Sequence, residues 1–355
     1  MNTQNTLLIL AIFAIFTIGT ISAKAKPTNS FNDFVDSNIG ITTTGEHGWL
    51  PVGGKSGNDA FYWYVENQVA DPKAPLFILV PSGSGKSVLT SYFTTWGPQI
   101  FKAHSNTLLT NHNAFNKYAD LLMIDLPIGT GFSRYADLSQ IPTTTKQKVE
   151  HFHTFINNFF DKHSALRDRD IYLVSELRGT QMTPLYSFKM VKHGIKVKGL
   201  ISFSNLSNPW IDHLSYAPNL EYKRVLKKSS KSYKSISKSA KFCNLFSVLG
   251  APNAEHYCTT LNDAANIHAL DMFSGNAVQA KFDPNTRTTR IERKFERWMN
   301  TERVQKYFGL RAKFWNVNPQ VFGVMTSNDN RTIASDAVIA ALLNREVEVF
   351  VIVGS

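Results

Sequence analysis

The sequence predicts an α/β fold with a mostly parallel, doubly wound sheet, and two patterns carry this prediction. Apolar segments of strand length recur along the chain, and segments with helical periodicity lie between several of them. Continuous apolar strands are typical of parallel sheets, because helices cover both faces of such a sheet. Of the 355 residues, 43% are hydrophobic and 18% are charged, which excludes collagen-like, coiled-coil and wholly disordered chains.

The elements follow one another in a regular order. Residues 76–80 (LFILV) form an apolar run between two prolines, so we expect a buried strand there. Residues 146–163 place their apolar side chains on one side of a helix. By the same criteria, we expect further strands at 60–66, 121–124, 171–174, 200–203 and 347–353, and further helices at 184–192 and 334–343.

Residues 210–285 interrupt this alternation. The segment from Lys223 to Lys241 holds eight Lys and Arg residues and no acidic residue. Steps of three and four relate Tyr222, Leu226, Ser229, Tyr233, Ile236, Ala240 and Cys243, which predicts one face of a helix. Two interpretations stay open: a helical insertion packed on a larger domain, or a basic helix that binds an anionic surface or polyanion.

The N-terminus has the pattern of a secretory signal peptide. Residues 1–23 carry no charged side chain, and an apolar run at 7–16 is followed by small residues. The run is shorter than the about 20 residues that a membrane span needs, so we expect no transmembrane segment after signal removal. An uncleaved anchor is the alternative.

A secretory route permits disulfides and glycosylation. The chain has two cysteines, Cys243 and Cys258, and one bridge between them is an option, while Asn205 and Asn330 lie in glycosylation sequons. A net charge of +11 favours acidic partners without specifying the fold. We expect no nucleic-acid partner, no cofactor and no metal site.

The segment from Ser82 to Ser87 is similar to a phosphate-binding loop. It follows a predicted strand and ends in Gly85-Lys86-Ser87, but the pattern G-x-x-x-x-G-K-[ST] requires glycine where this chain has Val80. Asp125, after the strand at 121–124, imitates the aspartate that holds magnesium in such proteins. Nucleotide binding is therefore an alternative that the sequence does not favour.

A second sequence motif is more specific for one protein family than the phosphate-loop pattern is. Asp125-Leu-Pro-Ile-Gly-Thr-Gly-Phe-Ser133 resembles the D-[QS]-P-x-G-x-G-[FY]-S segment of serine carboxypeptidases, an α/β-hydrolase family. The resemblance continues at 61–66, 76–89, 96–98, 170–179, 196–209, 298–315 and 334–354, and covers roughly residues 33–355. It implies a peptidase that removes C-terminal residues from peptides, located outside the cell or in a lysosome or vacuole.

The resemblance also implies a domain organisation. A signal peptide at 1–23 precedes an α/β-hydrolase core at 24–209 and 286–355, and a basic helical lid is inserted at 210–285. The last strand and helix of the family are missing from this sequence. We therefore expect an exposed edge at 347–353 and, through it, a dimer or other association.

The catalytic residues of the family are not retained. Its nucleophile stands on a strained strand-to-helix turn, which the resemblance places at residues 175–179 and in which Leu177 occupies the nucleophile position. Leucine cannot form an acyl-enzyme. The family's Asp and His follow the strand at 347–353, so both positions are absent here. Ser175 as a substitute nucleophile is an alternative that we do not favour.

The binding residues of the family are retained in part. The resemblance assigns the substrate's terminal carboxylate to Glu176 and to an asparagine that Pro81 replaces here. It assigns the oxyanion hole to the backbone N–H groups of Gly83 and Arg178. We therefore predict a pseudoenzyme that binds peptide C-termini, with an active peptidase or acyltransferase with a rewired site as the alternative.

Overall fold

The computed structural model describes residues 45–81, 85–177, 179–203, 209–222, 224, 226–248, 290–307, 309–310, 312–328 and 335–352. The signal-like N-terminus, both sequons, Cys258, Gly83 and Arg178 lie outside these residues, so what the sequence predicts for them stays a prediction. The same holds for the domain boundaries.

Most of the described strands form one twisted sheet. The strands are β1 (Gly45–Pro51), β2 (Asp59–Val65), β3 (Leu76–Val80), β4 (Gln99–Lys102), β5 (Thr107–Thr110), β6 (Asp120–Ile124), β7 (Ile171–Glu176), β8 (Val197–Phe203) and β9 (Glu348–Ile352). Within the described residues, seven of them lie in the order β1-β2-β6-β3-β7-β8-β9, and β4 pairs with β5 separately. Strands β6, β3, β7, β8 and β9 are parallel, whereas β2 is antiparallel to both β1 and β6. The predicted mostly parallel sheet is confirmed.

Helices cover both faces of this sheet. They are α1 (Val88–Ser91), α2 (Thr145–Lys162), α3 (Gly179–Lys192), α4 (Pro209–Tyr222), α5 (Lys231–Val248), α6 (Arg290–Met299), α7 (Glu302–Tyr307), α8 (Pro319–Asn328) and α9 (Asp336–Leu343). One core cluster joins the sheet to Phe152 and Phe155 of α2 and Met190 of α3. A second cluster, which includes Phe93 and Phe295, contains other side chains of the same strands. Burial on both faces explains why the central strands are apolar throughout.

Helix α2 forms as its sequence predicts. A capping box starts it, in which the Thr144 side chain accepts from the Gln147 backbone and the Gln147 side chain accepts from the Thr144 backbone. Phe152, Phe155 and Phe159 follow at helical spacing and are fully buried. The helix is thereby fixed against the sheet, where Phe155 and Phe159 contact the ring of Tyr62 in β2.

The basic region differs from the sequence prediction. The face from Tyr222 to Cys243 is not one helix: α4 ends at Tyr222, Arg224 adopts a left-handed φ of +58°, and α5 begins only at Lys231. Tyr222 is 85% exposed. The prediction of one continuous helix is wrong, because the three- and four-residue spacing of these side chains continues across a turn that separates two helices.

Helices α4 and α5 pack on each other. Ala217 of α4 and Leu226 of the turn form a small buried cluster with Ile236, Ala240 and Cys243 of α5. Cys243 is in a disulfide. The pairing with Cys258 stays a prediction, since Cys258 lies outside the described residues.

Candidate functional site

The turn between β7 and α3 brings together the residues that the sequence singled out. Leu177 has a φ of +49°, a left-handed conformation that costs a non-glycine residue energy. Its carbonyl accepts from the Thr180 backbone at 3.1 Å and from the Thr180 hydroxyl at 2.6 Å, which fixes the start of α3. At Gly179 an added Cβ would stand 2.5 Å from the Pro81 carbonyl oxygen, so the close approach of the two loops requires glycine. This is the geometry of a strained strand-to-helix turn.

The turn exposes Leu177 and buries Ser175. The side chain of Leu177 is 46% exposed, although leucine is usually buried. Ser175 is 0% exposed, and its hydroxyl has no hydrogen-bond partner among the described residues. A hydroxyl enclosed in this way cannot reach a substrate at the surface, which counts against Ser175 as a substitute nucleophile.

Glu176 lies beside Leu177 and is half-buried. Its Oε1 accepts a hydrogen bond of 2.6 Å from the hydroxyl of Ser91, the last residue of α1. Pro81, which directly follows the neighbouring strand β3, is buried and has no N–H to donate. Ser91 is a partner that the sequence did not indicate, because 85 residues separate it from Glu176.

The residues that imitate a phosphate-binding loop are engaged elsewhere. Lys86 Nζ lies 2.6 Å from Glu292 Oε1 of α6, so its charge is already balanced. The Ser87 hydroxyl donates to Asp125 Oδ1 at 2.7 Å, and Ser87 caps α1 by accepting from the Leu89 backbone. These contacts count against nucleotide binding.

Asp125 holds this loop in place from inside the protein. Its Oδ1 also accepts from the Val88 backbone at 2.9 Å, and its Oδ2 faces the Phe132 backbone N–H at 3.4 Å. Burial raises the pKa of the Asp125 carboxyl to about 7, against the opposing effect of these hydrogen bonds. The Asp125 side chain is fully enclosed, which counts against a magnesium-binding role.

The other end of the same string bridges two strands. The Ser133 hydroxyl donates to the Asp125 carbonyl at 2.6 Å and accepts from the Phe61 backbone at 2.8 Å. At Gly131 any Cβ would overlap the Asp125 carboxylate. The specific residues of this string therefore organise the turn after β6 and the loop that precedes α1.

The comparison with protein families decides the identity of the fold. A model of the family described as "Serine carboxypeptidase" matches residues 37–355. The chain belongs to the serine carboxypeptidase family. The resemblance noted in the sequence is thereby confirmed, and it accounts for the strand-to-helix turn at Leu177.

Curated relatives carry related names. "Serine carboxypeptidase-like 50" of Arabidopsis thaliana is 29% identical over 182 residues, which are 49% of this chain and 41% of that protein. "Pheromone-processing carboxypeptidase KEX1" of Tuber melanosporum is 28% identical over 206 residues, which are 55% of this chain and 32% of that protein. The matched part is thus less than half the length of either relative.

A solved structure shares the fold. The prohormone-processing carboxypeptidase Kex1(delta)p from Saccharomyces cerevisiae matches 90% of this chain and 76% of its own, with a TM-score of 0.76 and 17% identity. The α/β-hydrolase fold expected from the sequence is confirmed.

Neither a membrane-spanning helix nor a metal-binding cluster occurs among the described residues. No helix there is both long and apolar enough to span a membrane. No group of three or more His, Cys, Asp or Glu side chains in the same part of the chain is placed to hold a metal ion.

Proposed function

We propose that this member of the serine carboxypeptidase family binds the C-terminal ends of peptides without cleaving them. The observation that carries the proposal is Leu177, which stands exposed, at a positive φ, in the strand-to-helix turn. A serine peptidase needs a hydroxyl at this position, and leucine has no atom that can attack a carbonyl carbon. Ser175 is too deeply buried to replace it.

Glu176 supports the binding half of the proposal. Its carboxylate lies next to the turn and is held in place by Ser91. A peptide carboxylate can bind beside it only when the two groups share one proton, because two like charges at contact distance repel. Binding should therefore tighten as the pH falls, which suits a protein of acidic compartments.

The test compares a short peptide that has a free C-terminal carboxylate with the same peptide carrying a C-terminal amide. Fluorescence anisotropy at pH 7 and pH 5 should show binding of the free acid alone. Uptake of one proton limits the change to about tenfold per pH unit, so the affinity should rise by up to about 100-fold. The chain should release no amino acid from either peptide.

The variant Glu176→Gln separates the mechanism from general charge effects. Its amide can donate to a carboxylate without an added proton, so its affinity should be nearly the same at both pH values. Glu302→Gln, an exposed carboxylate on α7, is the control and should keep the native pH dependence. Equal binding of the amidated peptide, or an unchanged pH dependence in Glu176→Gln, would contradict the proposal.

We also propose that the chain enters the secretory pathway and functions outside the cell or in a lysosome or vacuole. The signal-like residues 1–23 support this location. A further relative, named "Venom serine carboxypeptidase" from Apis mellifera, is 30% identical over 180 residues, which are 49% of this chain and 38% of that protein. Secreted protein whose N-terminal sequence still begins at Met1 would count against a cleaved signal.

A further inference from the structure

One side of α5 is exposed and carries a row of lysines. We call this surface the basic face, and it consists of Lys231, Lys234, Lys238, Lys241, Phe242 and Leu245. At 3.6 residues per turn, all six lie within an arc of about 100° around the helix. Arg224, Lys227 and Lys228, which precede the helix, are exposed as well.

The basic face is not the packing surface of the helix. The buried side of α5, formed by Ile236, Ala240 and Cys243, is already covered by side chains of α4 and of the turn. Among the described residues, none of the four lysines of the face forms an ion pair. No acidic residue occurs between positions 224 and 248 that could balance their charge.

The face combines cations with large apolar side chains. Phe242 is 41% exposed and Leu245 is 50% exposed at the C-terminal end of the helix. Lys238 Nζ lies 5.8 Å from the centre of the Phe242 ring, which in turn stacks on Phe246 at 6.0 Å. A solvated helix usually carries charges of both signs on its outer face. This one carries positive charges alone, next to the exposed side chains of Phe242 and Leu245.

We propose that the basic face docks this protein on an anionic lipid surface. Ammonium groups attract lipid phosphates and carboxylates, while Phe and Leu enter the boundary between headgroups and acyl chains. An acidic polymer would satisfy the lysines equally well but would leave Phe242 and Leu245 in water. The proposal concerns the lid helices alone and does not depend on peptide binding.

The experiment measures co-sedimentation of the full chain with large vesicles of phosphatidylcholine, with and without 30 mole percent phosphatidylserine added. We expect binding to the anionic vesicles that weakens as salt is raised. Replacing Lys231, Lys234, Lys238 and Lys241 by Gln should lower the partition coefficient by roughly 100-fold or more. The double variant Phe242→Ser, Leu245→Ser should weaken binding roughly tenfold and keep its salt dependence.

A matched control removes the same charge elsewhere. Gln replaces four exposed lysines outside the lid, at Lys73, Lys117, Lys146 and Lys192, and this variant should bind as the native chain does. The apolar N-terminal run is present in every variant, and neutral vesicles report its contribution. Thermal melting checks that each variant folds.

Three results would overturn the proposal. Equal losses in the two quadruple variants would show a general charge effect. Binding to a sulfated polysaccharide, without binding to anionic vesicles, would assign the face to an acidic polymer. Absence of binding to both the anionic vesicles and the polysaccharide at low salt would show that the basic face is only a solvated surface of the helix.

Discussion

At the scale of single residues, Leu177 is held in a backbone conformation that a leucine side chain disfavours. Its left-handed φ is imposed by neighbours: Gly179 approaches the Pro81 carbonyl, and Thr180 binds the Leu177 carbonyl twice. A strained backbone of this kind persists only where the surroundings over-determine it. The neighbouring contacts therefore hold this turn in its strained conformation.

Replacing Leu177 by glycine should cost less stability than the same change at an unstrained leucine. Glycine adopts a positive φ without the steric cost of a Cβ, and this gain offsets the apolar burial that is lost with a side chain that is 46% exposed. Leu138→Gly removes a leucine that is 44% exposed and has no positive φ, so it loses similar burial without that gain. In urea titrations we expect the free energy of unfolding of Leu177→Gly to lie about 1–2 kcal/mol above that of Leu138→Gly. Destabilisation of similar size at both positions would show that Leu177 is not strained.

His47 should make the stability depend on pH. Desolvation between the rings of Phe61 and Trp63 lowers the pKa of His47 from 6.5 to about 4. Between pH 6.5 and pH 4 the unfolded chain therefore binds a proton at this histidine that the folded chain does not bind. With respect to this group, the free energy of unfolding is highest above pH 6.5 and falls as the pH falls towards 4. The pKa difference of His47 between the folded and the unfolded chain corresponds to roughly 3 kcal/mol of unfolding free energy.

The variant His47→Phe isolates this effect. Phenylalanine retains the ring contacts and cannot be protonated, so the difference in unfolding free energy between native and variant should change by roughly 3 kcal/mol between pH 7 and pH 4. Subtracting the two profiles removes the contributions of His151 and His153, whose pKa values burial also lowers. Parallel profiles would show that His47 titrates normally.

At the scale of elements, the strands were predictable where both faces of the sheet are covered. The sequences of β3, β6 and β7 are continuous apolar runs, because both faces of each strand are buried. By contrast, β1, β4 and β5 were missed, since β1 is only partly buried and the other two have four residues each. Periodicity failed at the start of α5, because nothing local marks Arg224 as a left-handed turn residue.

The edge strand β9 leads to a prediction about association. Phe350, Val351 and Ile352 are each about half exposed, and in the described part of the chain β9 pairs only with β8. An exposed apolar edge favours pairing with a second copy. We expect concentration-dependent dimerisation in sedimentation velocity.

The variant Val351→Lys should shift this equilibrium towards monomer by at least about tenfold, because a charged side chain on the edge disfavours strand pairing. Leu343→Lys, an equally exposed leucine on α9, is the control and should leave the equilibrium unchanged. A native chain that stays monomeric at high concentration would contradict the prediction.

At the scale of the whole molecule, the sequence predicted the fold and the position of the strand-to-helix turn at Leu177. It did not predict which distant residues contact this turn and the neighbouring loop. The string from Asp125 to Ser133 identified the family, and the structure explains why: its side chains tie β2, β6 and α1 together. The contacts Ser91–Glu176 and Lys86–Glu292 join residues far apart in sequence, so no local pattern could reveal them.

The observations on single residues, on elements and on the whole molecule are consistent with one another. The chain has the sheet of a serine carboxypeptidase and a strained strand-to-helix turn, with the half-buried Glu176 beside it and the alkyl group of Leu177 exposed at its apex. The central claim is that no serine of this chain is an activated nucleophile.

A fluorophosphonate probe tests that claim most directly, because it forms a covalent adduct only with a serine that a neighbouring base activates. The full chain is incubated with the probe at pH 5 and pH 7, and its intact mass is measured beside a heat-denatured sample and an active serine peptidase. We predict an unchanged mass for the native chain at both pH values. An adduct that forms in the native chain, is lost on denaturation and maps to a serine would contradict the account.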